Sequence, residues 1–299
     1  MRYRAVSLSV STIDAPGARV KRPLRVVSLV MRTHTIHGGD DAALNVQEAG
    51  SGRPVLFVHG LSQSVMSWRH QFESDLTDEF RLVALDNRGH GESEKPRDAY
   101  GDSTLWAQDI HAVVTELELD DVVLVGWSYG GVVALDYLDS FGTDHTAGLN
   151  FVGGVSALGS ETATARLGSE YVDLVSGFVS TDAEESVETM RQFVDLCVFE
   201  ELSPADRYYM LGYNVVVPPH VRDSLRDRVV SHDDTLASLD VPVLVTHGEE
   251  DAVVVPDVAR TYAELVESEV SWYPNTGHSP FWERPERFNR ELRAFVHEL

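Results

Sequence analysis

The sequence contains a single cysteine among its 299 residues, so no intrachain disulfide is possible. We expect Cys197 to be a buried small apolar residue rather than a nucleophile, because it lies at helical spacing from Met190, Phe193 and Val194. No apolar run approaches the roughly 18 residues that a membrane-spanning helix needs. No glycine-rich phosphate-binding loop is present either. These absences favour a cytoplasmic protein without a membrane partner.

Lysine is almost missing, since Lys21 and Lys95 are its only occurrences, and the net charge is −24. Such an excess of acidic residues opposes binding to nucleic acids, whose phosphates carry the same charge. Two interpretations fit this composition. We favour a halophilic protein adapted to high salt, because the lysine shortage accompanies the acidity; the alternative is an ordinary acidic enzyme.

The charge predicts a salt dependence of stability. The Debye length is about 10 Å at 0.1 M salt and about 3 Å at 1 M, so repulsion among surface carboxylates weakens as salt is added. Hydrophobic burial strengthens with salts that are excluded from the surface. We therefore expect the melting temperature to rise as KCl increases from dilute buffer to the molar range. A flat or falling melting temperature would favour the ordinary acidic enzyme.

The first 33 residues differ in charge from the remainder. They carry a net charge of +6, whereas residues 34–299 carry −30. Asp14, Pro16 and Gly17 interrupt this segment, and it lacks the apolar block of a signal peptide. A regular alternation typical of a strand begins only after Met31. We expect residues 1–30 to be an extension outside the fold.

From Met31 onward, apolar strands alternate with helical segments, which predicts an α/β fold with a mostly parallel doubly wound sheet. The strand pattern stops after residue 156 and resumes after residue 234, and helical stretches replace it. We interpret residues 31–156 and 235–299 as the core and residues 157–234 as a helical cap. Ligands of such sheets bind beyond the carboxyl ends of the strands.

The most informative motif is the pentapeptide at 126–130, Gly-Trp-Ser-Tyr-Gly, which follows an apolar strand and precedes a helical run. This G-x-S-x-G pattern predicts a sharp strand-to-helix turn that presents the hydroxyl of Ser128. A serine nucleophile needs an imidazole base and a carboxylate that orients it, following in the chain order Ser, acid, His. His278 ends a later strand, and the acid comes from residues 249–251, Glu-Glu-Asp.

The chain resembles the α/β-hydrolase superfamily over residues 31–299. The resemblance depends on His59-Gly60, the stretch 86–93 (Asp-Asn-Arg-Gly-His-Gly-Glu-Ser), the pentapeptide at 126–130, and Gly277-His278. The branch it resembles contains non-haem haloperoxidase-like esterases, C–C bond hydrolases and epoxide hydrolases.

The resemblance implies roles for individual residues. The spacing Gly248-x-x-Asp251 matches the acid turn of the family and selects Asp251 over its glutamate neighbours. The family's oxyanion hole implies the backbone amides of Leu61 and Tyr129. Epoxide hydrolases carry aspartate as nucleophile, so Ser128 implies acyl chemistry instead.

We therefore expect a cofactor-free serine hydrolase that cleaves a small carboxylic ester or lactone. A C–C bond hydrolase, a perhydrolase, or a ligand receptor built on a hydrolase fold would carry the same motifs. We expect His59 and His247 to be structural, Asp86 and Arg88 to pair with each other, and the run at 232–234 (His-Asp-Asp) not to bind metal. Four aromatic residues are candidates for contact with the substrate: Trp127, Phe193, Tyr209 and Tyr213.

Overall fold

In a computed structural model, which describes residues 31–299, eight strands form a single sheet. The ten strands of the described residues are β1 Arg32–His37, β2 Ala43–Gly50, β3 Arg53–Val58, β4 Phe80–Leu85, β5 Val122–Trp127, β6 Thr146–Val152, β7 Ala157–Leu158, β8 Val230–Ser231, β9 Val243–Gly248 and β10 Val270–Tyr273. The order across the sheet is β1-β2-β4-β3-β5-β6-β9-β10, with β7 and β8 forming a separate ribbon. The extension expected at 1–30 lies outside the described residues.

The predicted doubly wound sheet is confirmed. β2 pairs antiparallel with β1 and with β4, whereas all other neighbours in the large sheet are parallel. All six residues of β5 are buried, as expected for a central parallel strand covered on both faces. The helices are α1 Arg69–Phe72, α2 Ser103–Glu116, α3 Tyr129–Phe141, α4 Glu161–Thr164, α5 Ser169–Phe178, α6 Ala183–Leu196, α7 Pro204–Asn214, α8 Pro219–Arg226, α9 Asp233–Ala237, α10 Asp257–Leu265, α11 Pro280–Glu283 and α12 Pro285–Glu298.

A helical insertion separates β6 from β9 and contains α4 to α8. The β7–β8 ribbon joins the two ends of this insertion, because Ala157 pairs with Ser231 and Leu158 with Val230. The domain limits of the cap, 157–234, remain a prediction, although the ribbon lies close to both. No helix among residues 31–299 is long and apolar enough to cross a membrane.

One predicted pairing is wrong. Arg88 does not pair with Asp86; its guanidinium pairs with the buried carboxylate of Asp109 on α2 at 2.6 Å. Asp86 instead accepts hydrogen bonds from the amide of Val65 and the side chain of Asn45, both at 2.8 Å. Proximity in sequence suggested the wrong partner, because the fold brings α2 against the turn that follows β4.

Candidate active site

Ser128 lies on a strained turn between β5 and α3. Its backbone angles are φ 56° and ψ −121°, a conformation that residues other than glycine rarely adopt. Backbone strain of this kind costs on the order of 1–3 kcal/mol and is typical of functional turns. Ser128 is partly exposed, whereas the residues on either side of it are buried. The turn therefore presents one hydroxyl at the carboxyl edge of the sheet.

His278 and Asp251 form a buried pair near this edge. His278 Nδ1 lies 2.7 Å from Asp251 Oδ2, and the other carboxylate oxygen accepts hydrogen bonds from the amides of Val253 and Val254 at 2.8 and 2.9 Å. Burial opposes ionisation of Asp251, but attraction to the His278 ring in its protonated form and hydrogen bonds from His247 and His278 outweigh it. The pKa of Asp251 is therefore held well below its ordinary value.

The other ring nitrogen of His278 is available for chemistry. Nε2 is buried and has no hydrogen-bond partner within residues 31–299. Because Asp251 occupies Nδ1, that nitrogen carries the proton of the neutral ring and Nε2 presents a lone pair. This is the protonation state that a general base requires.

Backbone contacts bring the serine turn and the histidine loop together. The indole Nε1 of Trp127 donates to the carbonyl oxygen of His278 at 2.9 Å. The amide of Ser128 donates to the carbonyl oxygen of Val152 at 3.0 Å. The next residue, Gly153, lies so close to the imidazole that an added Cβ would be 3.0 Å from His278 Nδ1. Gly153 also has a φ of +46°, so a larger residue there would be strained and would press on the ring.

Two backbone amides near Ser128 are available to bind an oxyanion. An added Cβ on Gly60 would lie 3.5 Å from Ser128 Oγ, so the loop after β3 passes beside the hydroxyl. Within the described residues, the amides of Leu61 and Tyr129 donate to no protein acceptor. Helix α3 begins at Tyr129, so its N-terminal dipole favours negative charge at this point.

The loop that carries Leu61 is held by two neutral histidines. His90 Nε2 accepts a hydrogen bond from the amide of Ser62 at 3.1 Å, and its Nδ1 lies 2.9 Å from the carbonyl oxygen of Arg88. His59 Nε2 similarly accepts from the amide of Asn87 at 3.0 Å. His59 is therefore structural, as predicted. A protonated ring could not accept from these amides.

The burial of these rings predicts a loss of stability in acid. Burial lowers the pKa of His59 to about 4 and that of His90 to about 3. In the unfolded chain both pKa values return to about 6.5, so below that pH the unfolded state binds protons that the folded state excludes. This contribution to stability is complete above about pH 6.5 and decreases as pH falls. At pH 5 we expect a loss of about 2 kcal/mol from each histidine.

Urea unfolding at pH 7 and pH 5 tests this contribution. Protonation of surface carboxylates also changes stability, so variants are compared over the same interval. His90→Gln keeps an acceptor near Nε2 without the titration, and it should lose about 2 kcal/mol less than the parent protein. The exposed control His145→Gln should lose as much as the parent. Equal losses in all three proteins would contradict the assignment.

A cavity of about 310 Å³ lies beside the serine turn, between core and insertion. Leu61 and Tyr129 line it on the core side, and Tyr171 and Phe178 of α5 line it on the insertion side. Ser128 and His278 do not line this cavity; it is bordered by the chain neighbours of Ser128 and Gly60. Its wall is mostly apolar, which suits a small acyl or alkyl group.

The structure places the four predicted substrate contacts outside this cavity. Trp127 is 1% exposed, and its indole N–H holds the loop of His278 by a hydrogen bond. Phe193 is buried and packs against α5, behind the cavity wall. Tyr209 and Tyr213 pack against each other and line a separate depression. Contact of these four with a substrate remains a prediction.

Other candidate groups have structural partners. His247 Nε2 lies 3.2 Å from Asp251 Oδ2 and 3.0 Å from the carbonyl oxygen of Val254, so it supports the acid. His232 contacts Asp136, and the part of the chain that the structure describes contains no cluster of three metal-ligating side chains. Cys197 is buried, as predicted, and burial raises the pKa of its thiol.

Comparison with known proteins agrees with this geometry. The model of the alpha/beta hydrolase fold matches residues 53–285. The chain is 34% identical to an esterase structure from Rhodococcus sp. ECU1013, with a TM-score of 0.84 and coverage of 89% of this chain and 99% of that one. It is 28% identical to a non-heme haloperoxidase from Rhodococcus erythropolis, with coverage of 87% and 98%. It is 30% identical to a bifunctional esterase/perhydrolase from Acinetobacter calcoaceticus, with coverage of 81% and 91%. The chain therefore belongs to the alpha/beta hydrolase family.

Proposed function

We propose that this protein is a serine hydrolase that cleaves a small carboxylic ester or lactone through an acyl-enzyme on Ser128. The observation that carries the proposal is the strained turn at Ser128 beside the buried pair of His278 and Asp251. Similarity to esterases supports the ester as substrate. Catalytic roles for Ser128, His278 and Asp251, and for the amides of Leu61 and Tyr129, are part of this proposal.

The reaction proceeds in two halves. Ser128 Oγ attacks the acyl carbon while His278 Nε2 takes the hydroxyl proton, and the amides of Leu61 and Tyr129 stabilise the oxyanion. The tetrahedral intermediate collapses, and His278 returns the proton to the departing alcohol. Water, deprotonated by the same ring, then attacks the acyl carbon. The bond from that carbon to Ser128 Oγ breaks, His278 returns the proton to this oxygen, and the acid leaves. Asp251 keeps Nδ1 protonated and stabilises the imidazolium.

A panel of p-nitrophenyl esters with acyl chains of increasing length tests the reaction. We expect turnover of about 1–10³ s⁻¹ on short chains, which is the ordinary range for enzymes. Hydrolysis no faster than in buffer would contradict the proposal. Very slow turnover accompanied by binding of another protein only in the presence of the ester would favour the receptor function.

The similarity to a bifunctional esterase/perhydrolase favours one second candidate, perhydrolysis. Hydrogen peroxide would replace water in the second half-reaction, and a peroxy acid would leave in place of the acid. Peroxy-acid formation in acetate and hydrogen peroxide measures this activity. A C–C bond hydrolase would use the same groups, but no contact among the described residues favours it over an esterase.

We also propose a cytoplasmic enzyme that requires no cofactor and functions best in high salt. The single cysteine supports the compartment, and the net charge of −24 supports the salt requirement. The chemistry assigned above needs only side chains, backbone amides and water.

A further inference from the structure

One of the buried arginines of this protein lacks an acidic partner. Within residues 31–299, three arginines are at most 3% exposed: Arg88, Arg222 and Arg228. Arg88 pairs with Asp109, and Arg228 pairs with Asp136. Arg222, on helix α8, pairs with no carboxylate within residues 31–299. This guanidinium therefore differs from the two that stabilise the core.

The polar atoms of Arg222 are largely unsatisfied. Nη2 donates to the hydroxyl oxygen of Ser186 at 3.0 Å. Nε and Nη1 are buried and have no partner among the described residues. Burial lowers the pKa of Arg222 to about 10, which leaves the side chain charged at neutral pH. A buried charge without a partner is strongly unfavourable, and an anion bound against these N–H groups would offset that cost.

Arg222 lines the cavity that borders the serine turn. Leu61 and Tyr129, whose amides are the proposed oxyanion donors, line the same cavity. The only other charged residue in its lining is Arg226, which is 47% exposed and pairs with Asp223. No aspartate or glutamate of the described chain lines this cavity, although the protein carries a net charge of −24. The cavity wall is thus mostly apolar, and Arg222 supplies a buried positive charge to it.

We propose that Arg222 binds a carboxylate that the substrate carries in addition to the bond that is cleaved. This inference rests on the proposed hydrolase function and narrows its substrate class to esters of carboxylate-bearing acids or alcohols. The apolar wall accommodates the hydrocarbon chain of the substrate between its ester group and its carboxylate. The free N–H groups of Arg222 donate to that carboxylate. Charge-assisted hydrogen bonds from a buried arginine are strong, and the planar guanidinium matches the geometry of a planar carboxylate.

Matched pairs of esters test the proposal. Monomethyl adipate and methyl hexanoate differ only in a carboxylate that replaces the terminal methyl group of the acyl chain. Butyrate esters of 6-hydroxyhexanoate and of hexanol make the same comparison on the alcohol side. We expect kcat/KM to favour the anionic member of at least one pair by about ten- to a hundredfold. Homologous pairs from four to ten carbons locate the best chain length.

Variants identify the arginine as the source of this preference. In Arg222→Met the ratio of anionic to neutral kcat/KM should fall to about one, and in Arg222→Lys it should fall only in part. The control Arg191→Met removes an exposed arginine of helix α6 that pairs with Glu188, and it should keep the preference. Because the ratio is taken within each variant, differences in the amount of active protein cancel.

The outcomes separate this inference from the function on which it rests. Hydrolysis of neutral and anionic esters at equal rates, at every chain length, would overturn the carboxylate site and leave the hydrolase intact. Absence of hydrolysis of every ester by folded protein would overturn the proposed function. If Arg222→Met does not fold, competitive inhibition of the parent protein by adipate and by adipamide tests the carboxylate site instead. Adipate should then compete with methyl hexanoate far better than the neutral adipamide does, and equal inhibition would contradict the proposal.

Discussion

Ser128→Ala should abolish ester hydrolysis, with kcat falling by about 10⁴-fold or more. The hydroxyl is the only group of the proposed site that forms a covalent bond to the acyl carbon. Removing it leaves the backbone amides and the cavity in place, so binding persists without turnover. The variant should keep the melting temperature of the parent protein to within a few degrees, because Ser128 is partly exposed and its hydroxyl caps no amide of α3. Steady-state kinetics and thermal unfolding measure both quantities.

A matched serine provides the control. Ser224 is half-buried on α8, where its hydroxyl donates to the carbonyl oxygen of His220 at 3.0 Å. Ser224→Ala should retain the full rate. If Ser128→Ala keeps more than a small fraction of the parent activity while remaining folded, the nucleophile is another group.

Asp251→Asn should lower kcat by about 10⁴-fold, the magnitude known for the equivalent change in a serine protease. The hydrogen-bond donors around residue 251 determine the orientation of the new side-chain amide. The amides of Val253 and Val254 both donate to one carboxylate oxygen, so the asparagine oxygen must take that place. The asparagine NH₂ then faces His278 Nδ1 and donates to it. The ring proton moves to Nε2, and the imidazole can no longer accept the proton of Ser128.

The acidic neighbours of Asp251 are the controls. Glu249 is exposed, and Glu250 accepts a hydrogen bond from the amide of Thr276 at 2.9 Å. Glu249→Gln and Glu250→Gln should each lower kcat by less than about tenfold, because neither carboxylate contacts the imidazole. A larger loss in either variant than in Asp251→Asn would reassign the orienting acid.

The fold was predictable from sequence because its signals are local. Apolar strands that alternate with helices predict a parallel sheet, and the run at 122–127 is apolar enough to be its centre. After the strand that ends in His59, the sequence also predicts a helix near residues 65–77, and this prediction is wrong in detail. Two 3₁₀ turns, Val65–Trp68 and Asp75–Asp78, flank the short helix α1 there. The hydroxyls of Ser64 and Ser74 accept hydrogen bonds from the amides of Met66 and Leu76 and start these turns. Such side-chain hydrogen bonds compete with a continuous helix, and hydrophobic periodicity does not reveal them.

Some residues of the candidate site could be predicted from the sequence, and others could not. A short motif indicates Ser128, and the order of elements indicates His278, so both could be named from sequence. Sequence does not reveal that His90 accepts a hydrogen bond from the amide of Ser62, or that the guanidinium of Arg222 lacks a partner. Both features depend on contacts between segments that are far apart in the chain. Two aromatic residues of the insertion, Tyr171 and Phe178, line the cavity, whereas the candidates Phe193, Tyr209 and Tyr213 do not. Helical spacing alone does not say which face of a helix meets the cavity.

Covalent labelling with a fluorophosphonate shows whether Ser128 is an activated nucleophile. The reagent reacts with a serine only where a base activates the hydroxyl and donors stabilise the resulting oxyanion. Intact-mass and peptide mass spectrometry should find one phosphonyl group per chain, on Ser128, and none in Asp251→Asn within the same time. Labelling of any other residue, or no labelling of folded and freshly purified protein, would contradict the proposal that Ser128 is the nucleophile.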